Sequence, residues 1–297
     1  MRNPTLILLL AAVLSVSSCD TNKVRGEVQL RMDVTVPGNL ASGMMRVFAY
    51  DCSSGSKVGE LFLSEREADT FSQTSSFKSG SYDFVAYNFD IPDTFLRGET
   101  EFNTLELYTG PVSESILRRF ILEEGSKVVY APDRVVLGSA PDSRVGAGSD
   151  RLRLSAEELT ESWHIEINAD GAGYAALPGC MLSGEKTFWK LSDGAESGMI
   201  YFDLTARPYG LSGDFRTFGH ADLSEAAIII SVSNGENFYN YTKPVGALIE
   251  EAVRNGSHNI IIKDKIVIPA PEKDPQDGGG FSPSVGEWNV ESGEILI

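Results

Sequence analysis

The sequence predicts an all-β protein of two tandem antiparallel β-sandwiches, with one short helix in the second. Three observations carry this reading. Glu27 to Val36 alternates strictly, with Val28, Leu30, Met32, Val34 and Val36 on one face and Glu27, Gln29, Arg31, Asp33 and Thr35 on the other. Strand-like runs then recur every ten to twenty residues or so, without the long helices that parallel crossovers need. The length, 297 residues, suits two ordinary domains better than one.

The chain begins with Met1-Arg2-Asn3-Pro4 and an apolar run, Thr5 to Leu14. That run has the length of a secretory h-region, and at about ten residues it is too short to span a bilayer. Val16-Ser17-Ser18 puts small side chains directly before Cys19, and the stretch resembles a bacterial lipobox. On that reading residues 1–18 are a lipoprotein signal peptide, Cys19 carries the lipid and residues 19–25 are a tether. Several acyl chains anchor a protein stably where one is marginal.

The first sandwich is expected over 26–145. Its strands are Glu27–Val36, Met45–Tyr50, Leu61–Ser64, Tyr82–Asn88, Thr104–Tyr108, Ser126–Tyr130 and Arg134–Leu137, most of them separated by turn-formers such as "DCSSGSK" and "FKSGSYD". At "PDSRVGAGSD", Pro141 to Asp150, small polar residues mark either a domain boundary or a long hairpin loop. The second sandwich, 146–268, repeats the style in Trp163–Asn168, Met199–Ala206, Ala227–Ser233, Phe238–Thr242 and Asn259–Ile268. Between the last two, "PVGALIEEAVRNG" puts Val245, Leu248, Ile249, Ala252 and Val253 on one helical face, with Pro244 suited to the first turn and Gly256 to the stop. Residues 269–280, "PAPEKDPQDGGG", form a linker that cannot build a core. The segment 281–297 returns to strand-like residues, including Trp288, Val290, Ile295 and Ile297. An apolar strand beyond a linker needs a partner, either its own sheet or another subunit's, so these four are the candidate strand-exchange residues.

A formal net charge of −17 argues against nucleic acid as a partner and suits a soluble, exported body. With Cys19 lipidated, Cys52 and Cys180 remain, and export leaves both a disulfide and separate buried thiols open to them. His164, His220 and His258 show no HxH or HExxH spacing, so neither a metal nor a catalytic imidazole is expected. The doublets Glu123-Glu124, Glu157-Glu158 and Glu250-Glu251 cannot face one another, and Ser155 with Glu158 reads as a helix-capping box. "NFDIPD", Asn88 to Asp93, does not follow the EF-hand order and reads as a turn. No enzyme and no cofactor are expected.

"GSYDFVAYNFD" (Gly80–Asp90), "VVYAPDRVVLG" (Val128–Gly138), "AALPGCMLSG" (Ala175–Gly184), "FRTFGHAD" (Phe215–Asp222) and the run from His258 through "GGGFSPSVGEW" together resemble the fimbrillin-like lipoproteins of Bacteroides and related bacteria. The resemblance spans nearly the whole chain after the signal. It implies transthyretin-like sandwiches and membership of the superfamily that supplies shaft, anchor, accessory and tip proteins of type V pili. In shaft subunits of that superfamily an arginine-directed protease removes the first strand and a neighbour's strand fills the groove. Arg25 is the matching candidate for processing, with Arg118-Arg119 a second basic site. Arg25 precedes the first strand, so a cut there releases the lipid without opening a groove; this favours an anchor, accessory or standalone surface lipoprotein over a processed shaft subunit, and the role expected within a pilus is that of an anchor, accessory or tip component. The expected partners are other pilus subunits or a receptor on a host or bacterial surface, and the expected location is the outer membrane, exposed at the cell surface. The competing reading is a glycan-binding surface lipoprotein, for which Phe238 to Tyr241, Trp189 and Tyr209 are the candidate aromatic platform.

Overall fold

The computed structural model describes residues 26–272 apart from 39, 41–42, 147, 149–150 and 193–195, together with the backbone of 283–285 and 288–289. Its first half contains β1 (Glu27–Thr35), β2 (Met45–Asp51), β3 (Lys57–Leu63), β4 (Glu65–Glu67), β5 (Thr70–Lys78), β6 (Gly80–Asn88), β7 (Thr94–Arg97), β8 (Glu106–Thr109), α1 (Glu114–Leu117), β9 (Val128–Tyr130), β10 (Val136–Val145), β11 (Arg151–Ser155) and β12 (Glu157–Glu158). The second half contains β13 (Glu161–Asp170), β14 (Ala176–Lys186), β15 (Phe188–Lys190), β16 (Ser197–Asp203), β17 (Thr205–Arg207), β18 (Gly210–Thr217), β19 (Ala227–Ser233), β20 (Phe238–Pro244), α2 (Gly246–Asn255), β21 (Asn259–Val267), β22 (Pro283–Val285) and β23 (Trp288–Asn289).

These strands form sheets that pack in pairs. Sheet β11-β1-β5-β4 faces sheet β12-β10-β6-β2-β3 across a core that includes Leu30, Met32, Val34, Met45, Val47, Phe71, Phe84 and Val136. Sheet β17-β18-β13-β21-β23 faces sheet β22-β20-β19-β14-β16-β9 across a second core containing Trp163, Ile165, Cys180, Leu182, Ile200, Ile228, Ile230 and Ile262. The all-β architecture is as the sequence predicts. β1 buries Leu30, Met32 and Val34 and exposes Glu27, Arg31 and Thr35, as its alternation requires.

The pairing departs from the division at 145/146. Residues 151–158, assigned by sequence to the second unit, pair with the first: β11 lies parallel to β1, and β12 is antiparallel to β10. The Ser155/Glu158 pair is therefore not a capping box. Its backbone is extended, and Ala156 donates its N–H to Thr35 O at 2.8 Å. The "PDSRV" stretch is part of β10, where a register shift between Ala140 and Ser143 accommodates Pro141 and Asp142. Proline has no N–H to give a ladder, which confines it to such bulges and to edges.

A third layer explains why several strands do not alternate. Phe48, Tyr50, Val85 and Tyr87 point away from the first core and are buried under the β7–β8 hairpin with Leu105, Leu107 and Val135. β15, from the second half, adds to β8 in that cover. On the second sandwich, Met181 and Tyr201 on the outer face of its sheet are covered by Val112, Ile116, Leu117, Phe120 and Val128. Residues 111–130 are thus a strap reaching from the first half over the second, and β9 at its end joins the second sandwich beside β16. α2 buries Ile249 and Ala252 against the second core and stops at Gly256 in the left-handed region, as expected. Pro244 ends β20 instead of opening the helix, and Val253, expected on the buried face, is 46% exposed.

Candidate functional site

Cys19 and Arg25 lie outside the described residues, as do Val290, Ile295 and Ile297. Directly after Arg25, the Gly26 carbonyl accepts from Ser79 N at 3.2 Å. β1 then pairs antiparallel with β5 from Glu27–Lys78 to Thr35–Thr70 and parallel with β11 from Arg31 to Thr35. It is an inner strand, and its wet face carries a buried charge: Asp33 is 3% exposed and bonded to Ser72 Oγ at 2.7 Å, to Arg31 Nε at 3.0 Å and to Arg151 Nε. Burial alone would raise the Asp33 pKa, but the Ser72 hydroxyl and the two guanidinium groups outweigh it and hold the carboxyl below its ordinary value. Arg151 thereby locks β11 onto β1.

At the other end of the chain, β22 pairs parallel with β20 (Phe238–Pro283 to Asn240–Val285) and β23 antiparallel with β21 (Lys265–Asn289, Ile266–Trp288). The C-terminal segment thus touches the same edge of both sheets of the second sandwich.

Arg118 and Arg119 sit on the strap. Arg118 is exposed, but the backbone beside it is clamped. Asn240 on β20, 3% exposed, donates Nδ2 to Arg119 O at 2.9 Å and accepts Ile121 N on Oδ1 at 3.1 Å, while Ser231 Oγ donates to Arg119 O at 2.7 Å. A protease needs extended, freely moving backbone, and here the peptide comes directly after α1 and is tied to β19 and β20.

The histidines are structural in placement. His164 on β13 faces solvent and contacts Asp214 Oδ1 at 2.7 Å. His220 contacts fully buried Glu185 through Nδ1 at 2.7 Å, and Thr217 Oγ1 donates to the other Glu185 oxygen. Glu185 reaches this position because β14 bulges at Gly184, whose φ is +82° and where a Cβ would stand 2.3 Å from Asp222 O. Burial alone would lower the His220 pKa; the Glu185 carboxylate, helped by Glu161, raises it against that and against Lys186. Among the described residues no group of three or more His, Cys, Asp or Glu side chains is placed to hold a metal. Asp90, in the "NFDIPD" turn, is occupied by Gly43 N at 3.0 Å. Cys52 and Cys180 are both free thiols, one half-buried in the first sandwich and the other fully buried in the second core, where burial pushes its pKa far up. The aromatic candidates do not form a platform: Tyr241 is in the core, Trp189 packs under the β7–β8 cover, and Tyr209 stands alone at 88% exposure.

No family model matches the chain. A Bacteroides ovatus protein named "Putative fimbrium anchoring subunit Fim4B" is 23% identical over 231 residues, covering 73% of this chain and 66% of that protein, just under two thirds of its length. The crystal structure of a "putative adhesin" from Bacteroides ovatus superposes with a TM-score of 0.62 at 18% identity, over 82% of this chain and 94% of that one. The chain is thus similar in sequence to a fimbrium anchoring subunit and in fold to an adhesin. A second Bacteroides ovatus adhesin structure gives a TM-score of 0.51 at 12% identity, covering 84% of this chain and 91% of that one, and agrees in fold.

The residues that sequence reasoning missed are those joining the two sandwiches: Asn240, Ser231 and the strap they hold, and β15. Ile116, Leu117 and Phe120 do carry a short helical apolar pattern, but nothing local shows that its partner face is made by Met181 and Tyr201, more than sixty residues on. The relatives are named as fimbrial or adhesin proteins.

Proposed function

We propose that this protein is a lipid-anchored, surface-exposed structural or adhesive component of type V pili, in an anchor, accessory or tip position, held in the outer membrane by acylated Cys19. The observation that carries the reading is the seating of β1. Immediately after Arg25 the chain enters β1, paired with β5 from Glu27 onward and with β11 as well from Arg31, so cleavage there would release the lipid and leave the groove filled. A subunit that keeps its first strand cannot take a neighbour's strand at that place, which suits a terminal or basal position. Gly26 lies at the end of β1 remote from Thr35, beside which the chain leaves for the second sandwich. A short tether from Cys19 therefore keeps the first sandwich near the membrane.

Attachment to neighbouring subunits is by strand addition, in which backbone pairing supplies affinity and alternate side chains supply register. The exchanged element is the segment 281–297, with Trp288, Val290, Ile295 and Ile297 as its inserted side chains. Among the described residues it pairs with Phe238–Asn240 of β20 and with Lys265 and Ile266 of β21, so it already lies as an added strand against both sheets. Deleting residues 281–297 is expected to leave a folded monomer that no longer co-purifies with pilus subunits; continued co-purification would refute the strand-addition reading. Mass spectrometry of membrane-extracted protein is expected to find Cys19 acylated at the N-terminus, and an unmodified chain starting elsewhere would refute the anchor.

A further inference from the structure

We propose that the cavity beneath Tyr209 is a binding site for a short neutral saccharide. The cavity, of about 540 Å3, lies on the solvent face of the β13–β21 sheet, at the end opposite to where β13 enters from the first sandwich. Its volume is within the range of small-ligand sites, roughly 300–1,000 Å3. Asn168, Asp170, Lys263, Asp264 and Lys265 line it together with Pro208 and Tyr209, at the tip between β17 and β18, and Asp264 is itself paired with Lys243.

The tip is held rigidly. Ala169 N donates to Tyr209 O at 3.3 Å, and Gly210 lies so close to β13 that a Cβ there would stand 2.2 Å from Ile167 O. Pro208 fixes its own φ before the tyrosine. Tyr209 is consequently an 88% exposed ring on a fixed backbone, with only two side-chain torsions to order on contact. Below it, Asp170 Oδ1 and Lys265 Nζ are 2.6 Å apart, each about half exposed. The pair presents an acceptor and a donor side by side with its charges cancelled. Asn168 is oriented by donating Nδ2 to Lys263 O at 3.0 Å.

This combination matches the two kinds of surface on a sugar ring. The C–H face is apolar and lies on an aromatic ring. Two adjacent hydroxyls can satisfy a carboxylate and an ammonium together, one donating to Asp170 and the other accepting from Lys265. A neutral ring fits better than an anionic one because the Asp170 carboxylate stays in the contact. The site does not involve the lipid end, and it meets the segment 281–297 where the Lys265 backbone pairs with Asn289, so its side chains are tested apart from the deletion of that segment.

The test is calorimetric titration of the full chain with maltotriose, cellotriose and mannotriose, with trigalacturonate as the anionic comparison. At least one neutral trisaccharide is expected to bind saturably in the high-micromolar to millimolar range. Tyr209→Ala should weaken it at least tenfold, and Asp170→Asn combined with Lys265→Met should abolish it, with thermal unfolding unchanged in both variants. The proposal is overturned if no neutral trisaccharide saturates at 10 mM, if trigalacturonate alone binds, or if Tyr209→Ala leaves binding within twofold.

Discussion

Replacing Asn240 with alanine tests whether the strap is held as its hydrogen bonds indicate. The side chain is buried and makes two contacts with one short stretch of backbone, to Arg119 O and Ile121 N. Each hydrogen bond is worth about 1 kcal/mol net, and leaving Ile121 N partly buried without its acceptor adds about 1 kcal/mol more, whereas Arg119 O keeps Ser231. The expected loss is therefore about 2–3 kcal/mol, concentrated on opening of residues 111–130. When opening and closing are fast compared with cleavage, proteolysis follows the open population, so that loss raises the rate roughly 30- to 150-fold. The assay is cleavage of the native protein by an arginine-specific protease, with the site read by mass spectrometry. In the wild type Arg118 and Arg119 should resist cutting despite the exposure of Arg118; in Asn240→Ala both should become major sites. Rapid wild-type cleavage there, or a variant that loses stability without becoming more susceptible at those arginines, would refute the clamp.

Three further outcomes are expected. The fragment 26–145 expressed alone should fail to give a cooperative unfolding transition, because it lacks the β11 partner of β1 and leaves Phe120 and its strap neighbours uncovered; a sharp two-state transition would show the halves to be separable. Asp33→Asn should cost about 2 kcal/mol in urea unfolding at pH 7, as losing hydrogen bonds to a charged group does when its arginine partners are half exposed, and the difference should shrink as pH falls through the depressed Asp33 pKa; a pH-independent difference would contradict the charge argument. Because the folded pKa of His220 is raised, its contribution is fully present below the unfolded value near 6.5 and is lost as pH rises through the folded value; the melting temperature of His220→Gln should trail the wild type at pH 5.5 and approach it at pH 9, and a constant gap would exclude titration as the cause.

The legibility of this fold in its sequence depends on burial geometry. β1 is readable because one of its faces is wet, so its side chains must alternate. β2 and β6 are buried on both faces, and runs such as Val47-Phe48-Ala49-Tyr50 announce a strand but not which core each residue joins. α2 is legible in its span and its stop, since glycine at position 256 serves a local backbone need, but Val253 shows that the width of a buried stripe depends on what lies across from it. The Ser155–Glu158 pattern fails for a related reason: a capping box competes with the pairing that β1 and β10 offer to the same residues, and the ladder wins. Of the candidate site, the strand ends can be named from the sequence, whereas the clamp on Arg119 cannot, because Asn240 lies 121 positions away from it.

The strap also sets the order in which the molecule can be completed. Val112, Phe120 and Val128 leave the ribosome well before Met181, Tyr201 and the β19–β20 hairpin that bury and tie them. Until residue 240 or so has emerged, an apolar belt in the first half has nothing to rest on, and contacts of such long sequence separation close slowly. The same interval is when the chain is most open to misassembly, so its refolding yield should fall with rising protein concentration far more than its final stability would suggest.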